Sequence, residues 1–222
     1  MTYAFDIPLP KPVTAPRRVV ARPVDFHRLL GGPAWRSLPY AVQRRFGPNA
    51  HMIPVRYAGE MVVRASAFGW LIAQACRLLG TPLAPWTGEA VPVAVDVYTD
   101  AKGALVWDRT YAFKRHGQVK VTSKKVAGRK GELMEVIHGG LGMMLEVSAE
   151  DGALHFRSAG YFLQLAGVIR LPIPALLTPG AAHVVHEDLG GERFRFTLTF
   201  THPIAGETFF QTGVFLDPEH KP

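Results

Sequence analysis

The sequence predicts an α+β protein that is mainly β: a curved antiparallel sheet or partly closed β-barrel with N-terminal helices packed on it. From Arg193 to Phe200, Phe or Leu alternates with Arg or Thr, so one face of a strand is apolar and the other is polar. Turns that contain glycine recur about every 8–12 residues, which is typical of sandwiches, barrels and curved sheets. No helical stretch separates the predicted strands, which argues against a βαβ fold.

Residues 1–22 are predicted to form a flexible, proline-rich arm, and residues 23–222 a single domain. The arm lacks the apolar segment of a secretory signal, and no run of about 18 apolar residues suggests a membrane span. We therefore expect a cytoplasmic location. The prolines of the arm, which offer no amide hydrogen to a helix or a ladder, are Pro8, Pro10, Pro12 and Pro16.

Residues 23–90 are predicted to form a helical cap with one strand or hairpin. Asp25 is placed to cap a helix over residues 26–30. A second helix follows Ser37 and ends near Phe46, before a Gly-Pro pair. The cap should pack on the sheet that follows it.

The second half of this cap holds one strand and one longer helix. Residues 53–64 alternate as a strand or bent hairpin, with Gly59 as a candidate bulge. Ser66 is placed to cap a helix over residues 67–79. That helix is apolar nearly all round, so we expect it to be buried or to face a cavity, across the concave face of the sheet.

Residues 91–217 are predicted to form an antiparallel β meander with one interruption. The segment from Gly167 to Gly180 contains three prolines, so it cannot be a central strand. It is nevertheless apolar, and should cover a core, an interface or the mouth of a ligand site. The predicted strands are 93–99, 105–113, 119–124, 132–138, 143–148, 154–162, 183–188, 193–200 and 208–216.

The net charge of +7 is spread along the chain rather than gathered into one stripe. Because a nucleic-acid binder usually concentrates its basic residues with interleaved aromatic ones, we expect no nucleic-acid partner. Short basic pairs such as Arg44-Arg45 and Lys124-Lys125 are interpreted as solvated surface.

Cysteine and histidine give no sign of a redox or metal site. Cys76 is the only cysteine, lies in an apolar helix, and is interpreted as a small buried hydrophobe rather than a nucleophile. His183 and His186 are three residues apart, which on a strand places them on opposite faces. They should not chelate one ion, so we expect no metal.

Arg109 stands out because its position in the alternation puts it on an apolar strand face, with Trp107 and Tyr111. An unpaired buried charge is costly, so this arginine needs a partner. Glu135 lies on a similar apolar face, and Glu187 is a second candidate. Arg109 is therefore either half of a structural ion pair or the contact for an anionic head group in an apolar pocket. The candidate ligand-binding residues are Arg109, Trp107, Tyr111, Glu135, Trp70 and Glu187.

No catalytic signature is present in the sequence. It lacks a nucleophile elbow, a P-loop, a dinucleotide-binding glycine pattern and a zinc-hydrolase motif, and we expect no cofactor. Acid–base chemistry by Glu135, Glu187 or His138 stays open, because single carboxylates and imidazoles carry no signature.

Several short segments, in this order and spacing, resemble a bacterial family called domain of unknown function 4166, over about residues 26–216. The family has no established activity. Its members often lie beside, or are fused behind, saccharopine-dehydrogenase-like or short-chain oxidoreductases, so the resemblance implies a role accessory to such an enzyme. The chain departs from the family pattern at Phe46, often histidine in relatives, and at Gln211-Thr212, where relatives have a tyrosine. The segments are Arg44 to Gly47, Tyr57 to Arg64, Trp107 to Tyr111, Gly131 to Glu135, Gly167 to Pro174, and Gly206 to Phe215 with its late Gly213.

Three functions follow as hypotheses. The first is binding of an apolar or amphipathic small molecule, such as an acyl chain or isoprenoid-like compound, between the sheet and helix 67–79, with Arg109 at its polar end. The second is a non-catalytic interaction module that docks an oxidoreductase partner through Leu171 to Leu177. The third is an enzyme of unknown reaction.

Overall fold

The computed structural model describes residues 23–48, 50–77, 83–128, 131–165 and 169–218. The arm predicted for residues 1–22 lies outside the described residues. The α+β, mainly β class is confirmed. The strands are β1 (Val55–Ala65), β2 (Gly88–Thr99), β3 (Leu105–Phe113), β4 (Gly117–Ala127), β5 (Leu133–Val136), β6 (Leu141–Glu150), β7 (Ala153–Leu165), β8 (Ile169–Ile173), β9 (Ala181–Gly190), β10 (Arg193–His202) and β11 (Gly206–Leu216).

Ten of these strands close into an antiparallel barrel. Their order around the ring is β6, β5, β4, β3, β2, β1, β11, β10, β9, β7, and the pairing of β6 with β7 completes it. The alternation in β10 fits this architecture, since Phe194, Phe196, Leu198 and Phe200 are all buried. β1 pairs with β2 on one side and β11 on the other, so the first 90 residues supply a barrel strand as well as helices.

The described residues form four α-helices beside the barrel: α1 (Phe26–Leu30), α2 (Gly32–Arg36), α3 (Tyr40–Phe46) and α4 (Ala67–Cys76). Asp25 caps α1 as predicted, because its carboxylate accepts a hydrogen bond from the Arg28 amide at 3.0 Å. Helix α2 was not predicted. It starts at Gly32-Pro33, and proline is favoured in the first turn of a helix. None of the helices in the described part of the chain is long and apolar enough to cross a membrane.

Helices α1 to α3 close one end of the barrel. The ring of Phe46 packs edge-on against that of Phe26, with 5.3 Å between the ring centroids. It also packs against the ring of Phe156 of the barrel, with 6.0 Å between the centroids. All three side chains are buried, and burial of each contributes about 1.5–3 kcal/mol. Since β1 runs the length of the barrel, α3 before it and α4 after it lie at opposite ends.

Gly59 does not mark a bulge, contrary to the prediction. The irregularity in the β1–β2 pairing lies between Met61 and Val63. The glycine is needed for a close approach instead, because a Cβ atom at this position would lie 2.2 Å from the carbonyl oxygen of Val214 on β11.

The expected burial of α4 is wrong for most of the helix. Only Gly69 and Ala73 are buried, whereas Trp70 and Leu71 are 42% and 60% exposed. A Cβ atom at Gly69 would lie 1.8 Å from the carbonyl oxygen of Thr208. The helix therefore presses a narrow face of small residues on β11 and turns its large side chains outward.

Strand β7 divides between two partners. Its first half, up to Arg157, pairs with β9, and its second half, from Tyr161, pairs with β8. The register with β6 shifts between these halves, opposite Met144 and Leu145, as expected where an extra residue bends a strand. Strand β8 pairs only with β7 among the described strands, which agrees with the proline argument against a central strand.

Candidate functional site

A cavity of about 140 Å³ lies inside the barrel at the α4 end. One wall comes from the last turn of α4 through Ile72 and Cys76. The mouth is covered by the end of β8, through Ile173, and by the apolar segment that follows it, through Leu177 and Pro179. The apolar segment from Gly167 to Gly180 was predicted to lie over a core, an interface or the mouth of a ligand site, and its described part covers this cavity.

The inner end of the cavity is polar and charged. Arg109 on β3 donates a hydrogen bond from Nη2 to Oγ of Ser123 on β4 at 2.5 Å. Lys125, two residues further along β4, donates from Nζ to Oε2 of Glu135 on β5 at 3.0 Å. Nη2 of Arg109 lies 3.8 Å from Oε1 of the same carboxylate. The three charged side chains are each at most 11% exposed.

This cluster carries more positive than negative charge. The charged residues among the described lining of the cavity are Arg109, Lys125 and Glu135, so the surplus is one positive charge. Burial raises the pKa of the Glu135 carboxyl, but the Lys125 ammonium and the Arg109 guanidinium outweigh it, and the net pKa is lower than usual. The carboxylate is therefore ionised at neutral pH and neutralises only one of its two cationic neighbours.

The rest of the lining is apolar. The rings of Phe196 and Phe200 and the side chains of Leu198 and Val184 face the cavity from β9 and β10. Such a pocket, apolar with a few placed polar groups at one end, is the usual form of a site for small molecules.

The segment that covers the mouth is held in place by hydrogen bonds from barrel side chains to its carbonyl oxygens. The Tyr161 hydroxyl donates to the carbonyl oxygen of Gly180 at 2.6 Å, and the Thr208 hydroxyl donates to that of Pro179 at 2.5 Å. Leu177 lines the cavity yet is 75% exposed. It therefore stands at the boundary between cavity and solvent.

A second, smaller cavity of about 20 Å³ lies on the α3 side of Arg109. Arg45 and His186 contribute to its wall, while Trp107, Arg109 and Phe196 line both cavities. Burial and the positive charges of Arg45, Lys125 and Arg109 hold the pKa of His186 well below its usual value. His186 is therefore neutral inside the barrel.

The structure brings three of the six predicted site residues, Arg109, Trp107 and Glu135, to the cavity. Tyr111 is fully buried, donates from its hydroxyl to Oε1 of Gln211 at 2.8 Å, and is not part of the described lining. Gln211, on β11, thus supplies the hydrogen-bond partner for a barrel tyrosine.

The other two predicted residues lie elsewhere. Trp70 points outward from α4, away from the narrow Gly69 face. Glu187 lies on the outer face of β9, where its carboxylate accepts a hydrogen bond from Arg195 at 2.9 Å. The alternation explains this placement, because Val184 and His186 take the inward positions of the strand. Glu187 is therefore not the partner of Arg109.

Two residues of the charged inner end, Ser123 and Lys125, were missed by the prediction from sequence. The predicted strand ended at residue 124, and the pair Lys124-Lys125 was interpreted as surface. Lys125 is in fact 5% exposed. The signal was available, because Ser123 and Lys125 share the alternation of the buried Val121. The Arg44-Arg45 pair was also interpreted as solvated surface, and this is wrong for Arg45, which is 4% exposed.

The two histidines of β9 occupy opposite faces, as the strand period predicts. His186 is inside the barrel. His183 is on the outside, where its Nε2 lies 2.9 Å from Nδ1 of His155 on β7.

Cys76 is half-buried against the cavity, and burial raises the pKa of its thiol. A raised pKa makes a thiol a poor nucleophile at neutral pH.

Comparisons with curated proteins and with solved structures gave no match. The family model described as "Domain of unknown function (DUF4166)" matches residues 38–215. That span runs from the residues before α3 to the last residue but one of β11, and so takes in the strands of the barrel. The protein therefore belongs to the DUF4166 family.

Proposed function

We propose that the barrel binds a small amphipathic molecule whose anionic end meets Arg109 and whose apolar part points toward the mouth. The observation that carries the proposal is the charge balance at the inner end of the cavity: two cations, Arg109 and Lys125, share one carboxylate, Glu135. A buried surplus charge is costly. A bound anion removes that cost while its apolar part is buried along the walls.

The guanidinium of Arg109 has unused donor capacity. Its Nε is buried and has no hydrogen-bond partner, whereas Nη2 is held by Ser123. Arginine binds carboxylates and phosphates through parallel N–H donors. These features support an acid as the ligand rather than an alcohol or a hydrocarbon.

The size of the cavity limits the ligand. A volume of about 140 Å³ is close to that of an engineered protein cavity of about 150 Å³ that takes up benzene. The enclosed part of the ligand is thus a few carbon atoms with its acid group. A longer tail would leave past Leu177, which is exposed at the mouth.

The first experiment is native mass spectrometry of the protein purified from its own host, followed by extraction of what it carries. A defined acid that co-purifies supports the proposal and names the ligand. In parallel, calorimetry should compare butanoate and hexanoate with the matching alcohols. A preference for the alcohols would contradict the assignment of Arg109.

The decisive variant is Arg109→Ala, with Arg195→Ala on the outer face as its control. Loss of a charge-assisted contact of about 1.5–3 kcal/mol should weaken acid binding roughly 10-fold to 100-fold. The free energy of unfolding should change less than the free energy of acid binding, because Lys125 and Glu135 remain paired. The control removes an exposed arginine and should leave binding intact. Equal affinities of the two variants for the acid would refute the role of Arg109.

Cys76 offers an independent measure of occupancy, because it is the only cysteine and lines the cavity. A bound ligand should slow its reaction with a thiol reagent, and the slowing should follow the same affinity as calorimetry. Labelling that ignores a saturating acid would place that acid outside the cavity.

A second function, docking of a partner protein such as an oxidoreductase, is favoured by one observation. Leu171, Leu176 and Leu177 are 47%, 55% and 75% exposed, which is unusual for neighbouring leucines on a free surface. The triple change of these leucines to serine should abolish capture of a defined oxidoreductase while Arg109→Ala keeps it. If Arg109→Ala abolishes capture and the serine variant does not, the docking function is wrong.

A further inference from the structure

We propose that Lys125 is a carbonyl-reactive amine that forms a Schiff base with an oxo acid bound in the barrel cavity. The inference deepens the proposed function and rests on it, because the same cavity and the same Arg109 would hold the acid group. It adds a covalent step and a residue to which the family description assigns nothing.

The position of the amine carries the inference. Lys125 is 5% exposed and lines the cavity. Its Nζ lies 4.7 Å from the ring centre of Trp107 and 5.2 Å from that of Phe156. An ordinary lysine reaches solvent, whereas this one ends at an enclosed space large enough for a small ligand. That is the setting in which enzymes use lysine as a nucleophile toward carbonyl groups.

The surroundings of Lys125 favour release of its proton. Burial lowers the pKa of its ammonium, and the nearby Arg109 guanidinium lowers it further, against the opposing effect of Glu135. The carboxylate of Glu135, 3.0 Å from Nζ, is placed to accept the proton. Only the neutral amine has the lone pair that attacks a carbonyl carbon.

The step balances within the cavity. Glu135 takes a proton from the ammonium, and the neutral Nζ forms a bond to the carbonyl carbon. The further proton that Nζ loses in this addition moves to the carbonyl oxygen, which becomes a hydroxyl. The carbinolamine then loses this hydroxyl as water, with the proton that Glu135 returns. Ammonium and ketone thus give a protonated imine and one water molecule, with no oxidant or reductant.

The class of ligand follows from the two nitrogens that flank one carboxylate. Arg109 Nη2 lies 3.8 Å from Oε1 of Glu135, and Lys125 Nζ lies 3.0 Å from Oε2. A ligand that pairs with Arg109 and reaches Lys125 must carry its acid and its carbonyl only a few bonds apart. Short 2-oxo, 3-oxo and 4-oxo acids have this form.

The test is reductive trapping followed by peptide mass spectrometry. The protein is incubated with pyruvate, acetoacetate or 4-oxopentanoate and with cyanoborohydride. At least one of these should add to the Lys125 peptide the mass of the oxo acid less one oxygen atom. The variant Lys125→Arg keeps the positive charge and should lose the adduct. The control Lys124→Arg changes the neighbouring lysine, which pairs with Asp100 on the outside, and should keep it.

Three results would overturn the inference, and together they separate its failure from that of the proposed function. If butanoate binds in an Arg109-dependent way but no oxo acid labels Lys125, the covalent step is wrong and the binding function stands. Equal labelling of Lys124 and Lys125 also removes the inference, because it marks general amine reactivity. If butanoate does not bind, the proposed function fails and the inference fails with it.

Discussion

Arg45 of α3 and Asp217, just after β11, form a buried ion pair in which Nη2 lies 2.8 Å from Oδ2, with side chains 2% and 6% exposed. The guanidinium also lies over the ring of Phe194 at 3.8 Å. Arg44 reaches the same carboxylate oxygen at 3.0 Å. The pair links α3 to the residue that follows the last strand, so a residue near the start of the family match contacts one just beyond its end.

The change Asp217→Asn should destabilise the protein by about 3 kcal/mol, because it leaves the Arg45 guanidinium buried without its counter-charge. Urea unfolding measures the loss. The control is Glu187→Gln, which breaks an ion pair with Arg195 whose side chains are 45% and 46% exposed. That change should stay within about 0.5 kcal/mol. Similar losses in the two variants would show that the buried pair contributes no more than a surface pair.

The change Glu135→Gln should cost roughly 3 kcal/mol at neutral pH, since Arg109 and Lys125 then lack their shared carboxylate. The folded pKa of Glu135 is below its ordinary value of 4.5. Its contribution is therefore complete above pH 4.5 and is lost as the pH falls through the folded pKa. Urea unfolding from pH 7 to pH 3 should show the gap between variant and wild type closing in acid. A gap that stays constant would attribute the loss to packing.

The change His186→Phe should flatten the acid side of the stability curve. The pKa of His186 in the folded protein lies well below 6.5. Below pH 6.5 this imidazole therefore takes up a proton in the unfolded chain but stays neutral in the folded one. Stability falls there by up to about 1.4 kcal/mol per pH unit. The variant lacks this proton uptake, and the adjacent 20 Å³ cavity offers room for its ring. Identical slopes for variant and wild type between pH 6.5 and pH 5 would contradict the assignment.

The change Gly69→Ala should destabilise the protein by roughly 2 kcal/mol through overpacking against Thr208. In a free helix the same change stabilises by up to about 1 kcal/mol, so the sign itself is diagnostic. Leu71→Ala, on the exposed side of α4, should change the free energy of unfolding by less than about 0.5 kcal/mol. Thermal unfolding of the two variants compares them, and a stable Gly69→Ala protein would place α4 further from β11.

The alternation of apolar and polar residues predicted the strands and the inward direction of Arg109 and Glu135, because side-chain direction on a strand is a local property. It could not predict that β1 pairs with β11 and so helps to close the ring, since a pairing between strands so far apart in the sequence depends on the curvature of the whole sheet. Lys125 was missed for a different reason. Lysines are mostly exposed, and this expectation overrode the alternation that placed it beside Ser123.

Helix α4 shows the opposite error. Its apolar composition predicted burial, but composition does not reveal how much of a helix a partner surface covers. Gly69 and Ala73 allow the helix to approach β11 so closely that two small residues form its buried face. The large residues Trp70 and Leu71 are left outside. Only Ile72 and Cys76 reach the cavity to which the whole helix had been assigned.

The division of β7 between two partners separates closure of the barrel from access to its interior. The half up to Arg157 completes the ring, while the half from Tyr161 carries β8 and the segment over the mouth. The segment of residues 169–180 can therefore change in length or packing without breaking the strand pairings that close the barrel. Changes in this one stretch would alter the width of the cavity mouth and leave the charged inner end in place.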